Sequence, residues 1–385
     1  MNTYKIHRAK PYIPRSSRAW IMTQYREILD SGNLIQGKYV EQFENEVKDM
    51  VGVKHAVATT SCGTGLETVL IASGIKNKKF IVPTQTFAAS VNCIIRSGNI
   101  PLISDVNEET QCLSLGNILE NYSDDVGGVV LVNMNGLINT DIFEIEDYCK
   151  TNNLFLITDD AHAYGSNCYD STHEKIRYAG SFGDAGVFSF YPSKITTTAE
   201  GGMITTNNDE LAEKCRVIRN HGVRKNNEHP SGLDYGYTCE VPSTNYRMSE
   251  FHAVLGISQN KHLKEFLTRR NEIADLYNDR LRNISWLKIP YVSDMVYQTW
   301  WQYNVKIIDG RDRTDILLNL LYNFNIPTAN AYQPLCHQQK IYSEYLSEHP
   351  YENSDDFINK IFSLPMYVEL EDEQIHYICD SLESM

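Results

Sequence analysis

The stretch "FSFYPSKITTTAEGGMITT" (Phe188–Thr206) sets one lysine, Lys194, just past an apolar aromatic run and follows it with threonines and a Gly–Gly pair. Alone, such a lysine reads as a solvated surface amine. A lysine that attacks a carbonyl must be neutral, and desolvation or a nearby cation lowers its pKa enough for that. The company that the fold gives Lys194 therefore decides between the two readings.

The flanks of Lys194, "AGVFSFY" and "GGMITT", look like buried strands. The same texture recurs upstream in "HAVATT", "KFIVPT", "IPLISDV", "GGVVLVNM" and "LFLITDD", each separated from the next by a helical stretch. Runs this short and this apolar fit strands covered on both faces. Their alternation with helices predicts an α/β fold with a mostly parallel seven-stranded sheet flanked by helices. Ligands of such sheets bind at the carboxyl ends of the strands, so the polar residues just after these runs carry the functional reading.

Five places qualify. "SCGTG" (61–65) follows the first run and opens a helix. Gly63 and Thr64 there suit either an anion at a helix N-terminus or a plain Ser/Thr cap. Phe87 follows the second run and serves either core packing or a flat face against a ring. Asp159 and Asp160 end the fifth run, with His162 close behind. They read either as partners of a cationic ring nitrogen or as a helix cap with a satisfied histidine. Ser189 and Lys194 flank "FYPS". Asn245 and Arg247 precede a helix at Ser249, and Arg is the usual bidentate partner of phosphate. Taken together and in this order, they supply what pyridoxal phosphate needs: a phosphate cup, a ring stack, a partner for the pyridine nitrogen and an amine.

Outside the sheet, "SRAWIMTQYREILDSG" carries Trp20, Ile21, Tyr25, Ile28 and Leu29 at helical spacing and stops at Gly32. "KYVEQFENEVKDMVG" does the same with Val40, Phe43, Val47 and Met50. From Ser249 the sequence reads as one long helix or two abutting ones, then as shorter strands and helices. The expected division is a large domain over 1–248, including the N-terminal segment, and a smaller α+β domain over 249–385. The loop before Ser249 is long and rich in turn residues, a common mark of function.

Composition narrows the class. The net charge of -14 disfavours nucleic acid. No apolar run approaches a membrane span, and no signal-peptide core precedes the fold. Nine scattered cysteines, none at metal-ligand spacing, predict free thiols in a reducing cytoplasm and no metal.

With these motifs in place, the sequence resembles the nucleotide-sugar aminotransferases of the DegT/StrS type, within the aspartate-aminotransferase fold group (fold type I). The resemblance runs through "ILDSGNLIQGKYVEQFENEV", "HAVATTSCGTGLETVL", "VPTQTFAAS", the Lys194 stretch, "VIRNHGV", "TNYRMSEFHAVLG", "YQPLCHQQKIY" and "IFSLPMYVEL". It implies that Lys194 carries pyridoxal phosphate covalently and that Asp159 meets the pyridine nitrogen. His162 would lie near the ring and its 3-hydroxyl. Gly63, Thr64 and Ser189 would form the phosphate cup, and Phe87 would stack on the ring. Asn245 and Arg247 would reach the neighbouring subunit's site in a homodimer, and Arg219, His221 and His337 would contact substrate. The implied reaction is ping-pong transfer of an amino group from glutamate to a keto sugar, for surface polysaccharide or glycan synthesis, with a sugar dehydratase as the alternative. The basic N-terminal segment and Arg219, Arg224 and Lys225 are candidates for a nucleotide diphosphate. Two positions depart from the family pattern: Thr158 stands where Glu is common, and Asp160 where a small residue is usual. The second carboxylate either adds negative potential at the ring or faces away.

Overall fold

A computed structural model describes residues 5–225, 236–328 and 332–385. Part of the turn-rich loop singled out above, residues 226–235, lies outside that description. The seven apolar runs form the seven strands of one sheet. They are β1 (His55–Thr59), β2 (Lys79–Pro83), β3 (Ile100–Ser104), β4 (Val126–Val132), β5 (Phe155–Asp159), β6 (Ala185–Ser189) and β7 (Gly202–Thr206), ordered β1-β7-β6-β5-β4-β2-β3. Neighbours from β3 through β6 pair in parallel. β7 alone runs antiparallel, between β1 and β6.

Alternate residues of each strand feed opposite cores, as the two-residue period requires. Val129 and Leu131 of β4 pack with Phe43, Val254 and Phe188 on one face. Val130 packs with Leu66, Phe80 and Val187 on the other. The first face is covered by α1 (Arg15–Ser31) and α2 (Lys38–Val51), the two amphipathic segments read from the sequence. The second is covered by α3 (Cys62–Ala72), which follows β1, and α4 (Ala88–Arg96), which follows β2.

A second apolar core gathers Ile273, Tyr277, Trp286, Tyr303, Val305, Phe362 and Ile378 around a three-stranded antiparallel sheet. The expected helical run is two helices, Glu250–Asn260 and Leu263–Leu281. The first helix and the start of the second pack on the large core. Ala253, Val254, Ile257 and Leu267 belong to the large core, and the chain passes to the second core only at Ile273. The Glu250 carboxylate fixes this, because it accepts N–H bonds of 2.9 Å from Gly37, Tyr39 and Val40 and so caps α2. The N-terminal segment crosses over as well: Ile6 is buried in the second core. Helical periodicity marks an apolar face but does not say which core receives it. Among the described residues, no helix is long and apolar enough to cross a membrane.

Candidate active site

The strand ends converge on a cavity of about 550 Å³. After β1 the chain turns at Ser61 into α3. Ser61 Oγ accepts the Thr64 N–H, and Thr64 Oγ1 accepts the Ser61 N–H, a reciprocal cap. Thr64, expected in the phosphate cup, is thereby spent on the cap, and Ser61, Cys62 and Gly63 face the cavity instead. β7 lies directly against this turn. A Cβ on Gly202 would stand 2.4 Å from the Ser61 carbonyl group, so only glycine lets the strand approach. That is the role of the second glycine in the stretch after Lys194. Ser189, at the end of β6, completes this end of the cavity.

Asp159, at the end of β5, is buried and lines the cavity. Its Oδ2 accepts from Ser90 Oγ at 2.7 Å, and its Oδ1 from the Ala161 N–H at 3.1 Å. The Cys62 thiol lies 3.6 Å away. Burial raises its pKa, and these donors hold it down. Among the described residues it has no ion pair. Asp160 turns the other way. Its Oδ2 accepts from Thr158 Oγ1 at 2.6 Å and its Oδ1 from Asn133 Nδ2 at 2.5 Å, and burial pushes it up to about 7. The two departures from the family pattern are thus bonded to each other, behind the cavity wall.

Lys194 hangs in the loop after β6. Burial pushes its pKa down to about 8, against the opposing pull of Asp159. Its Nζ stands 4.2 Å from the centre of the Trp301 ring. Trp301 packs against the large core, and its indole N–H donates to the Ser193 carbonyl at 2.8 Å. The other neighbour of that ring is His162, stacked at 3.6 Å and 10°. The Asn135 N–H donates to His162 Nδ1, which leaves Nε2 to donate to the Tyr332 hydroxyl at 2.8 Å. Burial, then Lys194, hold His162 well below its ordinary pKa and keep it neutral. Phe87 is 62% exposed at the cavity rim.

Sequence reading missed Ser61, Ser90, Trp301 and Tyr332. Ser61 had a signal, as the residue before a helix start. Trp301 sat in "TWWQYNVKII", which reads as a core strand, and nothing local distinguishes it.

The cavity of this chain does not include the other expected residues. Arg219 is buried, with Nη1 on Glu44 Oε1 and on the Ala58 carbonyl, where it ties α2 to β1. In this chain its ion pair joins two elements of the large core. His337 has both ring nitrogens engaged, by Thr84 Oγ1 and Asp355, and stacks on Tyr351 at 4.0 Å. His221 is exposed with φ 60°. Arg224 is held by Glu240. Asn245 is exposed, and its Oδ1 accepts the Arg247 N–H, while Arg247 donates to Asn220.

These observations fit pyridoxal phosphate. A capped helix start with two hydroxyls offers N–H donors to a phosphate. A buried carboxylate without a protein cation suits a protonated ring nitrogen. A buried amine with a lowered pKa completes the set. Comparison with known proteins agrees. The DegT/DnrJ/EryC1/StrS aminotransferase family matches residues 16–383. A GDP-perosamine synthase of Escherichia coli is 31% identical, covering 90% of each chain. The spore coat polysaccharide biosynthesis protein SpsC of Bacillus subtilis is 32% identical, covering 93% of this chain and 92% of that one. Helicobacter pylori PseC, an aminotransferase involved in pseudaminic acid biosynthesis according to its structure's description, superposes with a TM-score of 0.88 over 99% of both chains at 24% identity. The chain belongs to the DegT/DnrJ/EryC1/StrS aminotransferase family, whose enzymes depend on pyridoxal phosphate.

Proposed function

We propose that this chain transfers the amino group of glutamate to a keto sugar carried on a nucleotide, with pyridoxal phosphate held covalently on Lys194. The observation that carries this reading is the placing of a buried Lys194 amine and a buried Asp159 carboxylate, which among the described residues has no ion pair, in one cavity. The names of the relatives supply the substrate class, a nucleotide-linked sugar destined for polysaccharide.

When bound, pyridoxal phosphate supplies an electron sink for a carbon that loses its proton. The protein does the rest. Ser61, Gly63 and Ser189 would hold its phosphate. Asp159, oriented by Ser90 and the Ala161 N–H, would keep a proton on its ring nitrogen. His162 packs flat against the Trp301 ring and stays neutral. The Lys194 amine would serve as the general base, its Nζ taking and returning the proton that the reaction moves. The face of Trp301 receives the ammonium that Lys194 becomes, a cation–π contact worth about 0.5–2 kcal/mol.

A homodimer belongs to this reading. Met22, Leu29, Leu34 and Ile35 leave apolar side chains exposed around the end of α1. Leu29 was expected on the buried face of that helix, and a partner would cover it. Asn245 and Arg247, outside their own chain's cavity, would then face the partner's. Nine free cysteines, eight of them buried, suit a reducing cytoplasm.

The test uses purified holoenzyme and glutamate alone. The visible band of the bound cofactor should convert to the amine form, and an unchanged spectrum counts against glutamate transamination. Borohydride reduction and peptide mapping should place the label on Lys194; a label on another residue removes the assignment.

A further inference from the structure

The two tryptophans of "TWWQ" (299–302) go to different places. Trp300 is buried in the second core, whereas Trp301 packs against the large one and reaches the cofactor cavity. They diverge at a left-handed backbone: Trp300 has φ 51°, a conformation that a bulky side chain rarely adopts. Such a residue persists only where its surroundings hold it.

Three bonds do the holding. The Thr299 hydroxyl donates to the His162 carbonyl at 2.7 Å, and the Trp301 N–H donates to the Asn135 carbonyl at 3.1 Å. Between them, the Trp300 carbonyl accepts from Arg270 Nη1 at 2.8 Å, and among the described residues no other group donates to it. Arg270 lies on the helix Leu263–Leu281, is 4% exposed, and among the described residues has no ion pair. Its Nε is buried without a hydrogen-bond partner, and burial pulls its pKa down to about 10. A buried cation without an acid partner weakens a fold, and an apolar side chain of similar length would fill the space at less cost. What the guanidinium adds is the hold on Trp300. The next residue, Asn271, supports it, since its Nδ2 donates to the Gln298 carbonyl at 3.1 Å.

We propose that Arg270 is a positioning residue for the Lys194 amine: it pins the Trp300 carbonyl and so keeps the Trp301 ring beside Lys194 and the Trp301 indole N–H on the Ser193 carbonyl. Arg270 itself is not part of the cavity lining. Its path to the amine is a short series of contacts: Arg270 to the Trp300 carbonyl, the peptide bond to Trp301, and Trp301 to Ser193 and Lys194. Without the first contact, the backbone at Trp300 relaxes toward an ordinary φ and carries the indole off Ser193. For its effect on catalysis the inference rests on the function proposed above; for the seating of Trp301 it does not.

The test reads hydrogen exchange and glutamate-driven spectra on holoenzyme. The Trp301 and Lys194 amides donate to the Asn135 and Tyr191 carbonyls. In Arg270→Met both should exchange about tenfold faster or more, while the amides of β4 and β5 keep their rates. Glutamate-driven conversion should fall roughly three- to thirtyfold, the range set by the Trp301 face. Arg270→Met combined with Trp301→Leu should be no slower than Trp301→Leu alone, because residues acting through one contact are not additive. Arg270→Lys, which keeps a donor, should recover part of both changes. If Arg270→Met does not fold, Arg270→Lys, alone and with Trp301→Leu, carries the same reading. Three outcomes overturn the proposal: the Trp301 and Lys194 amides keep their rates, exchange quickens equally across the sheet, or the two substitutions multiply their losses. Failure of the Lys194 label alongside faster exchange at Trp301 would remove the transaminase reading and leave the role of Arg270 standing.

Discussion

On the large-unit side of the cofactor cavity, polar residues stand where strands end: Ser61 after β1, Asp159 at the end of β5, Ser189 at the end of β6 and Lys194 in the loop beyond. On the other side, Trp301 and Tyr332 come from distant parts of the chain and share no topological rule. The first wall does chemistry that every substrate of such a site needs. The second ties down the lysine loop, through the bond from Trp301 to the Ser193 carbonyl. A strand end is a fixed address, so its residues are constrained by the sheet. The second wall is constrained only by whatever must be bound.

Substitutions on the first wall should therefore cost most. Lys194→Ala should lower glutamate-driven conversion by about 10³- to 10⁴-fold, the scale of a lost general base, compounded by loss of the covalent anchor. Single-turnover spectra measure it, and a Lys194→Ala rate within tenfold of the unmodified protein would break the comparison at its root. Asp159→Asn should follow, at about 10²- to 10³-fold, the loss expected when a preorganised charge contact is removed. Asp160→Asn, one residue along, should change the same rate only a few-fold, because Asp160 is bonded to Thr158 and Asn133 and lies outside the cavity lining. Equal losses for the two would mean that both carboxylates act on the ring.

The second wall should respond more weakly and more selectively. Trp301→Leu removes the face beside the Lys194 amine and the anchor on Ser193. The cation–π share alone predicts a loss of about three- to thirtyfold. Trp301→Phe keeps a face but not the indole N–H, so it should fall between the two. If Phe and Leu behave alike, the hydrogen bond and not the ring face holds the lysine loop.

The same contrast explains what could be read from the sequence. All seven strands were legible, because a strand buried on both faces is a short unbroken apolar run, and the residues after each run were the right ones to inspect. Asp159, His162 and Lys194 are brought together as that rule implies. Thr64 makes a reciprocal cap with Ser61, and a cap and a cup use the same residue types, so the sequence alone does not separate them. Arg219, His221 and His337 looked polar and near a site. The sequence does not reveal that Glu44 neutralises the first or that Asp355 engages the third. Trp301 was hidden because a contact between distant stretches of chain leaves no periodicity in either. The cap that Glu250 makes on α2, over 200 residues earlier in the chain, also leaves no mark in the sequence pattern.

The smallest expected effect sharpens the comparison most closely, because it sets two adjacent carboxylates against each other by their protons. The folded chain holds Asp160 at about 7, against an ordinary value of 3.8. Between those values the folded chain keeps a proton that the unfolded chain has released. Stability from this group is fully present below about pH 3.8 and is lost as pH rises through about 7. His162 works in the opposite sense: burial keeps it neutral, so its contribution is lost as pH falls below its ordinary range. Asn at position 160 keeps the shape, and the Thr158 hydroxyl can turn from donor to acceptor to meet the new N–H. Asp160→Asn should therefore remove the Asp160 slope and leave that of His162 untouched. The measurement is urea unfolding of cofactor-free protein from pH 4.5 to 8 for both chains. The variant should gain on the unmodified protein as pH rises, by up to a few kcal/mol. A flat difference would mean that Asp160 is ionised in the folded chain throughout, and then a second negative charge does sit behind the ring site.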